Sequence, residues 1–266
     1  EGRHHRGIDD CHNIARIASL LAGLPKELGG GTINRFCGSS MYAIHVAAGQ
    51  IAIGSGEVFI AAGVESMTMV PQGGFNFSPN PRFMGDKGVD SSVAIDAYIS
   101  MGNTAENVAE RYGITREAQD ALAVDSQRKA AEAQAGGRLA DEIVPVPLPD
   151  GTVVSQDGCL RPATTLEGLA ALKPVFREHG SVTAGTSSPL TDGAVATLIT
   201  SEDFARRHNL PILGQIVSTA VAGVEPEYMG IGPVPATRKA LQRAGLSVSD
   251  LDVIEINEAF ASQAAA

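Results

Sequence analysis

Apolar residues recur at helical spacing over residues 13–23, and the pattern stops at Gly23, just before Pro25. Glycine and proline in this order are a common helix stop, so the segment is predicted to be a helix. The pattern then predicts a short strand, a helix that is apolar on nearly all sides and a buried strand, over residues 32–36, 41–53 and 57–64. Strand, helix and strand within about 30 residues are typical of a βαβ unit with a parallel sheet.

Proline and glycine repeatedly interrupt residues 68–100, which predicts irregular chain. Two helices are expected next, one beginning near Thr104 and one over residues 115–135, where two glycines end the pattern. Residues 143–148 alternate with proline, so they can form only an edge strand or extended chain. This stretch predicts an insertion between core strands, and the small and apolar residues over 183–200 predict the return of the chain to the core.

The last part of the chain repeats the first pattern in outline. It predicts a strand, a helix with proline at its start and glycine at its end, and a second strand, over residues 212–221, 235–245 and 253–256. Asn257 is expected to open the next helix, as Cys37 does in the first part. Two related halves are therefore predicted, meeting at the carboxyl ends of their strands, where open α/β sheets place their sites.

Composition narrows the possible partners. The chain carries 30 acidic and 20 basic residues, a formal net charge of −10. Nucleic acid and anionic membranes need a basic surface, so neither is expected as the main partner. Apolar runs such as residues 58–64 are far too short to span a bilayer, and the polar residues 1–16 do not resemble a signal peptide.

The cysteines predict a reducing compartment and no metal site. Cys11, Cys37 and Cys159 have no CxxC spacing, which excludes a disulfide framework and a zinc knuckle. The histidines and cysteine within residues 4–12 match no standard zinc pattern.

Cys37 is the strongest candidate for covalent chemistry. It follows a predicted strand and precedes a predicted helix, and the positive end of a helix favours the thiolate form of a cysteine placed there. Gly38 lets a substrate carbonyl approach the backbone closely. A nucleophilic cysteine also needs a base. His45 lies eight residues further along the same helix, about 12 Å away at 1.5 Å per residue, so it is expected to be an ordinary helix-face histidine.

Six segments resemble, in order, the sequence motifs of the thiolase family. They are TINRFCGSS at 32–40, AGVESM at 62–67, MGNTAEN at 101–107, VTAGTSS at 182–188, GPVPA at 232–236 and NEAFA at 257–261. Together they cover nearly the whole chain, so the resemblance is specific.

The resemblance implies an α/β protein with the thiolase fold, in which two related βαβ-type halves carry an inserted loop domain. The N-terminal half, incomplete at its start, is expected over residues 1–67 and 190–211, the loop domain over 68–189, and the start of a truncated C-terminal half over 212–266. A cytoplasmic homodimer or homotetramer is expected, with organelle targeting left open. Coenzyme A and acyl-CoA are implied as substrates, with no metal and no bound cofactor.

Two residues carry the implied chemistry. Cys37 would take an acyl group from a thioester and pass it to a second acceptor. Asn257 would hold a water molecule whose hydrogen helps to bind a thioester oxyanion.

Five further residues would contact the substrate. By the resemblance, Ser188 lies near the thioester end of coenzyme A and Arg161 near its adenine end. Met229, Ala259 and Phe260 line the pantetheine tunnel. From residue type alone, Met229 and Phe260 could equally be core residues and Arg161 a solvated charge.

The implied reaction is ping-pong thiolytic cleavage of a 3-oxoacyl-CoA, or its reverse, a Claisen condensation. Ser100 stands where many biosynthetic acetoacetyl-CoA thiolases have a histidine, which favours a degradative enzyme of fatty-acid β-oxidation and lipid metabolism. A biosynthetic acetoacetyl-CoA thiolase is one alternative, and a non-catalytic acyl-CoA-binding or lipid-binding protein is another. Both Cys37 and Asn257 are present, which speaks against the second alternative.

The family's general-base histidine and second catalytic cysteine would lie beyond Ala266. The sequence also begins without methionine. A fragment lacking both ends is therefore expected, and residues 1–266 alone are expected to be inactive and not stably monomeric.

Overall fold

The computed structural model describes residues 13–71, 74, 77–85 and 95–266. The histidines and cysteine within residues 4–12, and part of the segment predicted to be irregular, lie outside the described residues. The helices are Ile14–Leu21 (α1), Ser39–Ala52 (α2), Met101–Tyr112 (α3), Arg116–Ala135 (α4), Leu166–Ala170 (α5), Glu202–Arg207 (α6), Pro233–Ala244 (α7) and Ala261–Ala265 (α8). The strands are Val58–Glu65 (β1), Val146–Pro147 (β2), Val153–Val154 (β3) and Gly193–Thr200 (β4).

The chain divides into two compact units. The first contains the described residues of Glu1–Ser78 and of Leu190–Thr219. The second contains those of Pro79–Pro189 and of Ala220–Ala266. Each unit is therefore built from two separate stretches of the sequence.

The sheet of the first unit is antiparallel. β1 pairs with β4 along its whole length, from Val58 opposite Thr200 to Glu65 opposite Gly193. The predicted strand–helix–strand unit joined residues 32–36 to β1, and the described residues 32–35 form no strand beside β1. The antiparallel partner β4 was not predicted. A long connection separates β1 and β4 in the sequence, and the periodicity of one strand cannot show the direction of its partner.

β1 is covered on one face only. Phe59, Ala61 and Gly63 are buried or half-buried, whereas the residues between them are exposed, and α2 packs against this strand. The prediction of a fully buried strand was wrong, because an apolar run does not distinguish a strand covered on both faces from one covered on a single face.

Three predicted strands are absent from the described chain. Residues 32–35, 212–221 and 253–256 adopt irregular backbone instead. The strand ladders of the described residues join only β1 to β4 and β2 to β3. A strand needs a hydrogen-bonded neighbour, and apolar composition alone does not supply one. The short β2–β3 pair does confirm the edge strand expected within residues 143–148.

Local side chains mark several of the predicted helix ends. The Asn13 side chain caps α1, and the Thr115 hydroxyl caps α4 by accepting a hydrogen bond from the Ala118 N–H. α3 begins at Met101, three residues before the predicted start near Thr104. α7 begins at Pro233, two residues before the predicted Pro235, and is followed by Gly245 at φ +69°, a left-handed conformation that glycine adopts easily.

α3 is the most buried helix of the second unit. Its residues Ala105, Val108 and Ala109 are at most 5% exposed. It contacts α8 and the kinked 3-10 segment Pro226–Ile231. None of the helices in the described chain has the length and apolar character needed to cross a bilayer.

Candidate active site

Cys37 is the middle residue of a tight 3-10 turn, Phe36–Gly38, that leads directly into α2. Cys37 is exposed. Phe36 has φ +47°, a left-handed conformation that non-glycine residues rarely adopt. Such a conformation costs about 1–3 kcal/mol and persists only where the surrounding contacts hold it, which is common at functional sites.

Ser39 supplies two of those contacts. Its hydroxyl accepts a hydrogen bond from the Arg35 N–H at 2.8 Å and donates one to the Phe36 carbonyl at 2.7 Å. The Asn34 side chain also accepts from the Phe36 N–H, at 2.9 Å. No role was predicted for Ser39, because its partners Arg35 and Phe36 are brought to it by the turn itself.

Gly63 places the start of α2 against β1. A Cβ atom on Gly63 would lie only 2.7 Å from the Cβ of Ser40. A larger residue at position 63 would therefore push the helix start, and with it the Cys37 turn, away from the sheet.

Aromatic and cationic groups surround the first turns of α2. The Arg35 guanidinium lies 4.9 Å from the centre of the Tyr42 ring, and Tyr42 contacts His45 edge-on with ring centres 6.0 Å apart. The pKa of His45 is lowered, first by its partial burial and then by the positive charge of Arg35. The contact with Tyr42 agrees with the interpretation of His45 as a helix-face histidine.

Three of the residues predicted to contact substrate lie side by side in the second unit. The backbone N–H of Ser188 donates to the carbonyl of Ala259 at 2.9 Å, and Ser187 forms an antiparallel bridge with Phe260. The Phe260 ring packs edge-on against Phe176, with ring centres 5.9 Å apart.

Met229 lies on the neighbouring segment Pro226–Ile231. Its side chain is 44% exposed and so remains available to a ligand. Gly230 lies against Gln263 of α8, where a Cβ would approach the Gln263 Cγ to 2.6 Å. The segment that carries Met229 is therefore adjacent to the helix that follows Phe260.

Arg161 belongs to a separate turn, and its guanidinium forms hydrogen bonds with neighbouring residues. The guanidinium donates to the carbonyls of Gly158 and Leu160 at 2.9 and 3.0 Å. The backbone N–H of Arg161 donates to the Gln127 side chain of α4 at 2.7 Å. These hydrogen bonds tie Arg161 to residues 127 and 158–160 rather than to the segment of Ser188.

Asn257 does not open a helix as predicted. It lies exposed in irregular chain, and α8 begins only at Ala261. The bridge between Ser187 and Phe260 explains the delay, because it keeps the backbone extended up to the helix cap. The neighbouring Glu258 is anchored by a hydrogen bond from the Ser126 hydroxyl of α4.

The predicted site residues are thus distributed over both units. Cys37 belongs to the first, and the other six belong to the second. The structure brings Ser188, Ala259 and Phe260 together and places Met229 on an adjacent segment.

Comparison with known families decides the identity. The family model for the N-terminal domain of thiolases matches residues 6–203, and the model for the C-terminal domain matches residues 210–266. The chain belongs to the thiolase family. The match includes all six segments whose resemblance to thiolase motifs was noted in the sequence.

Individual thiolases agree with this assignment. A 3-ketoacyl-CoA thiolase from Shewanella oneidensis is 53% identical over 262 residues, which cover 96% of this chain and 65% of that protein. A 3-oxoadipyl-CoA/3-oxo-5,6-dehydrosuberyl-CoA thiolase from Escherichia coli K12 is 48% identical over 269 residues, covering 96% of this chain and 67% of that protein. The chain therefore spans about two thirds of the length of these relatives.

A solved structure confirms the predicted thiolase fold and α/β class. The crystal structure of the Bacillus anthracis acetyl-CoA acetyltransferase matches with a TM-score of 0.83 at 43% sequence identity, covering 96% of this chain and 67% of that one.

Proposed function

We propose that the protein is a 3-oxoacyl-CoA thiolase that transfers an acyl group through a thioester on Cys37. The observation that carries this proposal is the exposed Cys37 in a strained turn at the start of α2, in a chain of the thiolase family. Because its thiol is exposed, Cys37 is accessible to a substrate.

In the cleavage direction, the Cys37 sulfur attacks the 3-oxo carbon of the substrate. The bond between carbons 2 and 3 then breaks, and its electron pair remains on carbon 2, which takes up a proton to give acetyl-CoA. The acyl group stays on Cys37. In the second half-reaction the sulfur of a free coenzyme A, after losing its proton, attacks this acyl carbon and releases the Cys37 thiolate.

The second unit supplies the proposed binding surface. Ser188, Ala259 and Phe260 form a continuous strip, and Met229 presents an exposed apolar side chain beside it. An apolar strip suits the pantetheine arm, and Arg161 is proposed to lie towards the adenine end. Asn257 is exposed, as a residue that orients a water molecule toward the oxyanion must be.

The chain is proposed to contain an inserted loop domain over residues 68–189. The boundary between Pro189 and Leu190, where the second compact unit gives way to the first, supports the end of this domain. Neither Cys37 nor Cys159 forms a disulfide, which suits the reducing cytoplasm. A homodimer or homotetramer is proposed, as the family resemblance implies.

A degradative substrate is favoured over acetoacetyl-CoA. The relatives named above act, by their names, on 3-ketoacyl-CoA and 3-oxoadipyl-CoA. Ser100 bears less on this choice than its position suggested. Its hydroxyl accepts hydrogen bonds from the backbone and side-chain nitrogens of Asn103 at 3.3 and 2.9 Å, so it serves as the cap of α3.

The substrate preference is testable by comparing specificity constants for acetoacetyl-CoA and a long-chain 3-oxoacyl-CoA. A degradative thiolase is expected to cleave the long-chain substrate at least as efficiently. A strong preference for acetoacetyl-CoA would instead identify the biosynthetic alternative. The similarity to an acetyl-CoA acetyltransferase is the reason to test that alternative.

The Cys37 assignment predicts selective labelling. Iodoacetamide at neutral pH is expected to alkylate Cys37 before Cys11 or Cys159, because Cys37 is exposed at a helix start and Cys159 is only partly exposed. Acetyl-CoA is expected to protect Cys37 alone. Peptide mass mapping over a time course measures both effects, and faster labelling of Cys159 or Cys11 would contradict the assignment.

A further inference from the structure

Three consecutive residues of α3 hold three different segments of the second unit. The carbonyl of Ala105 accepts a hydrogen bond from the buried Ser262 hydroxyl of α8 at 3.0 Å. Glu106 holds residues 181–182, and Asn107 holds the turn at Glu227. The side chains of Glu106 and Asn107 point about 100° apart around the helix, so this turn of α3 contacts separate segments.

Glu106 is a buried carboxylate surrounded by donors. It is 4% exposed. One of its oxygens accepts from the Val182 N–H at 2.9 Å, and the other accepts from the Ser181 N–H at 2.9 Å and from the Ser181 hydroxyl at 3.3 Å. Gly180 allows this close approach, because a Cβ there would overlap the carboxylate. A carboxylate has only acceptors, so this environment matches its chemistry on both oxygens.

A series of hydrogen bonds connects residues 181–182, which Glu106 binds, with Ser188. The Thr183 N–H donates to the Thr186 hydroxyl at 3.0 Å, and the Ser187 hydroxyl donates to the Thr183 carbonyl at 2.7 Å. Ser188 then bonds to Ala259. Moving the chain at Ser181 would therefore displace the strip proposed to bind the substrate.

Asn107 links two further parts of the proposed binding surface. Its amide nitrogen donates to the Glu227 carbonyl at 2.9 Å, two residues before Met229. Its amide oxygen accepts from the guanidinium of Arg177, which follows the Phe176 that packs on Phe260. Only an amide can accept at one end and donate at the other with this shape.

We propose that Glu106 and Asn107 are positioning residues for acyl-CoA binding. They fix the segments that carry Ser188 and Met229 at the spacing the substrate requires, without touching the substrate themselves. This inference rests on the proposed function. The MGNTAEN motif then has a physical role, because two of its side chains set the geometry of segments that lie far away in the sequence.

The test uses two substitutions that preserve side-chain shape, made in the natural full-length protein. Glu106→Gln replaces one acceptor oxygen with an NH₂ group facing a donor, and Asn107→Asp keeps the acceptor for Arg177 but removes the donor for Glu227. Each is expected to raise the KM for the acyl-CoA substrate about tenfold while kcat changes by less than about threefold. Glu106→Gln weakens a charge-assisted hydrogen bond, and Asn107→Asp loses a neutral one and sets a carboxylate oxygen against the Glu227 carbonyl. Glu132→Gln, at an exposed position of α4, is the control and is expected to leave both constants unchanged.

Thermal melting accompanies the kinetics. If Glu106→Gln does not fold, Asn107→Asp, at a half-buried position, decides alone. An unchanged KM in the folded variants, or a fall in kcat at constant KM, would overturn the positioning role. Failure of the wild-type protein to form an acyl-enzyme would be a different result, because it would remove the proposed function and this inference with it.

Discussion

We expect the Cys37→Ser variant to lose acyl transfer while it still binds coenzyme A. Loss of a catalytic nucleophile typically lowers kcat by about 10⁶-fold. A serine hydroxyl is not ionised near neutral pH, so without an activating base it cannot replace a thiolate. The binding segments of the second unit are unchanged by this substitution, so affinity for coenzyme A is expected to stay within about twofold, the range for a residue outside the binding contacts.

The measurement combines a thiolysis assay of the natural full-length protein with calorimetric titration of coenzyme A. Cys11→Ser is the control for the chemical change, because Cys11 belongs to none of the six thiolase segments. Turnover near the wild-type rate in Cys37→Ser would show that another group is the nucleophile.

Removing the side-chain amide of Asn257 is expected to have the second largest effect. Asn257→Ala should slow turnover by about 10²–10³-fold, the usual cost of one oxyanion donor, while the acyl-enzyme still forms. The water molecule that Asn257 holds stabilises the thioester oxyanion because it is already in position before the negative charge develops. Anchoring of the neighbouring Glu258 by Ser126 supports a fixed position for this part of the chain.

The Asn257→Asp variant tests whether the amide hydrogen or the shape of the side chain is required. Aspartate has nearly the same shape but no amide hydrogen to donate to the water molecule, and its negative charge repels the oxyanion, so it is expected to be as slow as the alanine variant. The two variants are compared by steady-state turnover and by rapid-quench detection of the acyl-enzyme. Wild-type turnover in either variant would place the oxyanion donor elsewhere.

The helices were predictable because their determinants are local. Asn13, Thr115 and Gly245 each act on backbone groups within one turn, so the sequence around them was sufficient. Strands depend on distant partners. β1 finds its partner more than a hundred residues later, and neither the direction of that partner nor the open outer face of β1 is encoded in the run 58–65 itself.

The candidate site was predictable to a similar degree. Cys37 was recognised from its motif and its position before a helix, both of which are local. The strain at Phe36 and the two hydrogen bonds of Ser39 required coordinates. Glu106 could not be interpreted from sequence, because a charged residue in a helix usually faces solvent and its partners at 181–182 lie far along the chain.

The motif identified Asn257 as a site residue, but the predicted start of its helix was wrong by four residues. The bridge from Ser187 to Phe260 keeps the chain extended up to that point. A contact between segments so far apart in the sequence leaves no periodic signal.

The central claim, that Cys37 carries the acyl group, is tested most directly by trapping the intermediate. The protein is mixed with acetyl-CoA without an acceptor, quenched in acid, and analysed by intact mass and by peptide mapping. The account predicts one added acetyl group, located on Cys37, and its disappearance when free coenzyme A is supplied. No acetyl adduct, or an adduct on Cys159 with Cys37 unmodified, would contradict the account.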